Sequence, residues 1–229
     1  MRAFHNDVAV QKLYLARVAD HAAADEITQG VYWENGRGCA VGCTIHSRHH
    51  SKYEKELGIP TELAHLQDAI FEALPNAEAK RFPLQFLEAI ALGADLSRVW
   101  DAFSLSILID KKDGLVAIPD MSDDCKGWIR TIAVLYQCSA IGAEPTDQQR
   151  ADAERAARAA WAARDAWAAR AARAAWDAWA ARAARAAWAA RAAWAARDAW
   201  DARVARVSRI MRQRDVLLQL LREAPVPHE

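Results

Sequence analysis

"PTDQQRADAERAARAAW" occupies residues 145–161. Pro145 is followed by Thr146, with Gln149 three positions on. This is the pattern of a reciprocal helix cap, in which the Thr hydroxyl takes an orphan N–H and the Gln side chain returns to the Thr N–H. From Thr146 to Ala224 there is neither glycine nor proline. Alanine and arginine are among the strongest helix formers, so the sequence predicts one long helical element over 146–224 and a short tail over 225–229.

Within that element the composition repeats every three residues from 155 to 212. One column holds only Arg and Trp: Arg155, Arg158, Trp161, Arg164, Trp167, Arg170, Arg173, Trp176, Trp179, Arg182, Arg185, Trp188, Arg191, Trp194, Arg197 and Trp200, continuing as Arg to 212. A second column, 157 to 205, is entirely Ala. The third is Ala except for Asp165, Asp177, Asp198 and Asp201 until it turns to Val204, Val207 and Ile210. An α-helix advances about 100° per residue, so a three-residue column drifts around it. A 3₁₀-helix has three residues per turn, and the columns become straight faces. The first reading is an α-helix whose register is a fossil of an expanded nine-base DNA repeat. The alternative is an extended 3₁₀-helix, favoured by the confinement of Asp to one column. Beyond Val207 the apolar residues Ile210, Met211, Leu217, Leu218 and Leu221 fall at α spacing, so the element should end in a short amphipathic α-helix. Its repeat would span about 87 Å as α or about 116 Å as 3₁₀, long enough that it must project, bend or pack against another copy.

Residues 1–145 read as a compact all-α domain of five or six helices. Asn6–Asp7 can cap the first, with Val10, Leu13, Tyr14 and Val18 on its apolar face and an end near Gln29–Gly30. Pro60 and a Thr61 cap begin another, whose face is Leu63, Leu66, Ile70, Phe71 and Leu74. Pro83 suits the first turn of the next, with Phe86, Leu87 and Ile90 inward. Asp95 and Ser122 are caps for two more, with Trp100 and Phe103 in one and Cys125, Ile129 and Tyr136 in the other. Asn35–Gly36 marks a turn. "GLVAI" at 114–118 is the one short strand candidate.

The formal net charge is zero, which removes any global attraction to nucleic acid, but the charge is unevenly placed. Residues 1–145 hold 14 Lys/Arg and 20 Asp/Glu, whereas 151–212 hold 13 Arg and 6 Asp/Glu. The two regions are electrostatically complementary, within a chain or between chains. No secretory signal is visible at the start, and no charge-free apolar run is long enough to span a bilayer. Four cysteines in a chain of this size suit a reduced cytoplasmic protein.

Cys39, Cys43, His46 and His50 stand at offsets 0, 4, 7 and 11. On a continuous helix they would share one face. Cys and His at such spacing are the donors Zn²⁺ takes, although four residues spread over about 16 Å of straight helix cannot hold one ion. His21, Cys125 and Cys138 are available to complete a set. The competing reading is a buried face on which Cys serves as a small apolar residue, with no cofactor. The glycines of "GRGCAVG" (36–42) lack the strand and the Lys-Ser/Thr of a nucleotide loop and suit close helix packing. No catalytic residue is singled out.

The stretches "YWENGRGCAVGCTIH", "YEKELGIP" and "FPLQFLEAIALGADLS" resemble a group of uncharacterised bacterial and phage-associated proteins that carry Ala-rich tails with regularly spaced aromatic residues. The resemblance covers most of residues 1–103. It implies a bacterial intracellular or prophage setting and transfers no functional residues.

The function expected from these observations is a non-enzymatic interaction or assembly protein, with the Arg/Trp stripe serving self-association or a protein partner. One alternative is nucleic-acid binding, Arg meeting phosphates and Trp stacking on bases. Another is a metal- or Cys-dependent enzyme centred on Cys39–His50. A membrane partner is not expected, because Arg and Trp share a column instead of opposite faces.

Overall fold

The computed structural model describes residues 1–119, 121–162 and 203–227. Among these residues the chain is mostly helical, with one two-stranded hairpin, in keeping with the all-α class. It divides into two compact units: residues 1–99 together with 206–229, and residues 100–205. Residues 206–229 thus belong with residues 1–99.

In the first unit a 3₁₀ turn (Ala3–Asn6) leads into α1 (Val8–Ala23). The Asp7 carboxylate caps α1 by accepting from the Ala9 N–H at 2.7 Å. Tyr14 and Val18 are buried as expected, while Leu13 is exposed. The helix ends at Ala23, six residues short of the expected stop, and the freed residues Asp25–Val31 run to a hairpin of β1 (Trp33–Glu34) and β2 (Arg37–Gly38). Asn35 and Gly36 form its turn with φ of 50° and 81°, the left-handed pair that a tight two-residue hairpin requires.

Next come α2 (Ala40–Ile45), α3 (Lys52–Leu57), α4 (Thr61–Ala73) and α5 (Asn76–Glu88). Leu63, Leu66, Ile70, Phe71, Phe86 and Leu87 are fully buried, matching the helical periodicity. Two expectations are corrected. Thr61 does not cap α4; its hydroxyl donates to Glu54 Oε2 at 2.9 Å. Pro83 lies inside α5 instead of opening it, so the helix continues through a residue that cannot donate to the Ala79 carbonyl. The final helix, α9 (Arg203–Arg222), brings Leu217, Leu218 and Leu221 into this unit. There Arg214 pairs with Glu78 at 2.5 Å, Asp95 N–H donates to the Pro225 carbonyl at 2.8 Å and Arg2 donates to the Pro227 carbonyl at 2.8 Å.

The second unit contains nearly all of α6 (Val99–Ile109), α7 (Asp123–Ala140) and α8 (Asp147–Ala162). Ser122 caps α7 as expected. "GLVAI" is not a strand; Leu115–Ala117 is a 3₁₀ turn, its carbonyls answering local N–H groups. The cap predicted before α8 is formed in both directions: Thr146 N–H donates to Gln149 Oε1 at 2.8 Å and Gln149 N–H donates to Thr146 Oγ1 at 3.2 Å.

Glycine content of the hairpin–α2 contact decides how tightly the first unit closes. A Cβ at Gly42 would lie 1.7 Å from the Tyr32 carbonyl oxygen, and one at Gly38 would lie 2.3 Å from the same atom. Gly127, in the first half of α7, has nothing within 4 Å of its missing Cβ. Gly42→Ala is expected to destabilise by about 3 kcal/mol through overpacking, whereas Gly127→Ala should stabilise by about 0.5–1 kcal/mol. Urea midpoints followed by circular dichroism measure both.

Candidate functional site

The Cys/His segment does not form one helix. Cys39 is the N-cap of α2, its Sγ accepting from the Gly42 N–H at 3.4 Å. His46 ends the same helix in the left-handed conformation, with φ of 48°. His50 then lies in the turn before α3. The shared face expected from the spacing is therefore broken, and the four residues separate into two pairs on different sides of α2.

Cys43 and His46 join the end of α1. The Cys43 thiol donates to the carbonyls of Gly38 at 3.3 Å and Glu26 at 3.7 Å. His46 Nε2 lies 2.8 Å from His21 Nε2, and His21 Nδ1 lies 2.6 Å from Glu26 Oε2. The indole of Trp33 stacks on the His46 ring at 4.5 Å with an interplanar angle of 11°, and meets His21 edge-on at 5.5 Å. An ionised carboxylate only accepts hydrogen bonds, so His21 carries its proton on Nδ1 toward Glu26. Its Nε2 then presents a lone pair, and His46 donates the hydrogen between the two rings. Burial, then the Arg17 guanidinium and His21, hold the His46 imidazole below its ordinary value.

Cys39 and His50 face α4. His50 Nε2 is 3.3 Å from Asp68 Oδ2, and its ring stacks on His65 at 4.1 Å. Tyr32 meets His50 edge-on at 6.1 Å. Beneath them the Tyr53 hydroxyl donates to Gln67 Oε1 at 2.7 Å, both residues being fully buried. Neighbouring hairpin residues thus serve opposite clusters, Tyr32 on one side and Trp33 on the other, because successive side chains of an extended chain alternate.

Both thiols are poor nucleophiles in this setting. Cys39 and Cys43 are 1% and 0% exposed. Burial pushes the Cys43 thiol up to about 12. Burial, reinforced by the Asp68 carboxylate, raises Cys39 further. All four cysteines are free. Among the described residues no group of three or more His, Cys, Asp or Glu converges in a way that would hold a metal ion. His21, one of the three residues available to complete a Cys/His set, is the one that meets His46; the sequence pattern missed Glu26, which comes from just beyond the end of α1. The sequence does hold a weak signal for it, a His and a Glu five residues apart at a helix end.

The Arg/Trp stripe is described at its edges. Asp147–Ala162 and Arg203–Arg222 are both α-helices, so the repeat enters and leaves in α geometry; Arg164, Trp167, Arg170, Arg173, Trp176, Trp179, Arg182, Arg185, Trp188, Arg191, Trp194, Arg197 and Trp200 lie outside the described residues. In α8, Ala153, Ala156, Ala157 and Ala160 are buried in the core shared with Ile129, Ile132, Ala133 and Tyr136 of α7. Their offsets of 0, 3, 4 and 7 define one α-helical face. Arg155 and Arg158 stand outside it, exposed, and pair with Asp152 and Glu154 of their own helix.

No family model, curated protein or solved structure matches the chain.

The thiol assignments give a direct test. At pH 8, Ellman's reagent should modify the half-buried Cys138 quickly. Cys39, Cys43 and Cys125 should react only on unfolding in denaturant. A fast equivalent traced to Cys39 or Cys43 by peptide mapping would contradict the burial described here.

Proposed function

We propose that the chain is a non-enzymatic helical interaction protein, in which the Arg/Trp repeat entered through α8 assembles with a second copy or a protein partner. The observation that supports this reading is the division of labour at the first repeat units. Small Ala residues lie against a neighbouring helix while Arg points outward. Alanine contacts let helices approach closely, and outward Arg supplies one of the residue types enriched where proteins meet. The unequal charge of residues 1–145 and 151–212 adds complementarity between copies.

The other readings draw less support. A Cys-dependent enzyme needs a thiolate that a substrate can reach, and both candidate thiols are buried and protonated. Nucleic-acid binding needs arginines free for phosphate, yet Arg155 and Arg158 already face carboxylates. Among the described residues no helix is long and apolar enough to cross a membrane.

Light scattering coupled to gel filtration, on the full chain, measures the assembly. A defined oligomer is expected, and replacing Trp167, Trp176, Trp188 and Trp194 together by Ala should shift it to monomer without loss of the α1–α5 core. A strict monomer at tens of micromolar, with tryptophan fluorescence quenched freely by acrylamide, would overturn the reading.

A further inference from the structure

The geometry points to a surface metal site in which His21 Nε2 and His46 Nε2 together bind a borderline divalent cation of the Zn²⁺, Ni²⁺ or Cu²⁺ class. This goes beyond the assembly reading and does not depend on it.

Two imidazole nitrogens already converge at 2.8 Å. Metal–nitrogen bonds of about 2.0–2.1 Å at a tetrahedral centre set two such nitrogens about 3.3–3.4 Å apart. The rings therefore need to part by only about half an ångström to admit an ion. His46 supplies that movement. It is exposed at the end of α2, its ring lies on the indole of Trp33 and can slide along it, and among the described residues no other hydrogen bond holds the ring.

His21 has the support that histidine ligands require. Its Nδ1 is fixed by Glu26 at 2.6 Å, which sets the tautomer with the Nε2 lone pair facing His46 and fixes the ring's orientation. Its side chain is 12% exposed, so the ring is held by its surroundings and not by solvent. His46 changes only its tautomer on binding: the hydrogen now on Nε2 moves to Nδ1 at the surface, and no net proton is lost. The charges facing the pair are the carboxylates of Glu26 and Glu56 and the Arg17 guanidinium, a balance of one negative charge that favours a cation.

Two nitrogen donors select the metal class. Imidazole suits Zn²⁺, Ni²⁺ and Cu²⁺, while Mg²⁺ and Ca²⁺ take oxygen ligands. Water fills the remaining positions, since no third protein donor of the His, Cys, Asp or Glu type converges there among the described residues. The result is an open, exchangeable site and not a structural one. It also separates His46 from Cys39 and His50, with which its spacing had grouped it.

The test is titration of the tag-free full chain with Cu²⁺, protein in excess, followed by electron paramagnetic resonance, with Zn²⁺ binding measured by calorimetry. One ion per chain is expected, with two imidazole nitrogens coupled to the copper. His46→Ala, a substitution at an exposed position whose fold is checked by its thermal melt, should abolish the two-nitrogen signal. Glu26→Gln should weaken Zn²⁺ binding about 10–100-fold. His49→Ala and His50→Ala should leave both readouts unchanged. The proposal is overturned by the absence of a saturable site in the wild type, by binding that survives His46→Ala, or by equal loss in His49→Ala or His50→Ala.

Discussion

The carbonyl oxygen of Tyr32 sits against the backbone of α2, in space that any side chain at Gly38 or Gly42 would fill. That contact holds the hairpin on the helix closely enough for Cys39 N–H to donate to the carbonyls of both Val31 and Tyr32. Once it is made, the rest of the first unit's polar surface follows. Tyr32 is delivered to His50, Trp33 to His46, and the thiols of Cys39 and Cys43 are shut beneath. A buried thiol that donates to carbonyls costs little, whereas a thiolate in the same place would be strongly penalised. The segment that looked most chemical in the sequence is thus divided into two packed imidazole clusters with inert thiols between them.

Much of the helical framework was legible because it rests on local chemistry. The Thr146–Gln149 cap, the Asp7 and Ser122 caps and the Asn35–Gly36 turn each depend on residues a few positions apart, and each formed as read. The buried faces of α4 and α7 follow from periodicity alone. Pro83 shows the limit of local rules: tertiary packing around Phe82 and Phe86, both fully buried, outweighs the hydrogen bond that proline forfeits.

The candidate site was less legible, for a related reason. Offsets of 0, 4, 7 and 11 align residues only while a helix continues. His46 adopts a left-handed conformation, rare for a residue with a side chain, and everything after it takes a new direction. His21 and Glu26 come from an element whose end the sequence pattern misjudged by several residues, so their convergence on His46 was invisible to spacing. The repeat was legible as a register but not as a geometry. Three-residue columns say which residues recur, while the α-helix of Asp147–Ala162 chooses its inward face by the 3.6-residue turn and takes its alanines from more than one column.

The first unit is built from both ends of the chain, with Arg2 bonded to the Pro227 carbonyl and Asp95 to the Pro225 carbonyl. In topological terms the second unit, repeat included, is an insertion into the first. The entropy of closing such an insertion grows only logarithmically, by about 0.6 kcal/mol for each doubling of its length. The host unit is therefore nearly indifferent to how many three-residue steps the insert contains. Any change in the number of repeat units would therefore fall where it leaves the flanking fold intact. The same arrangement delays completion of the host during synthesis: α1 to α5 emerge early, but the helix that joins them leaves the ribosome only after the whole insert.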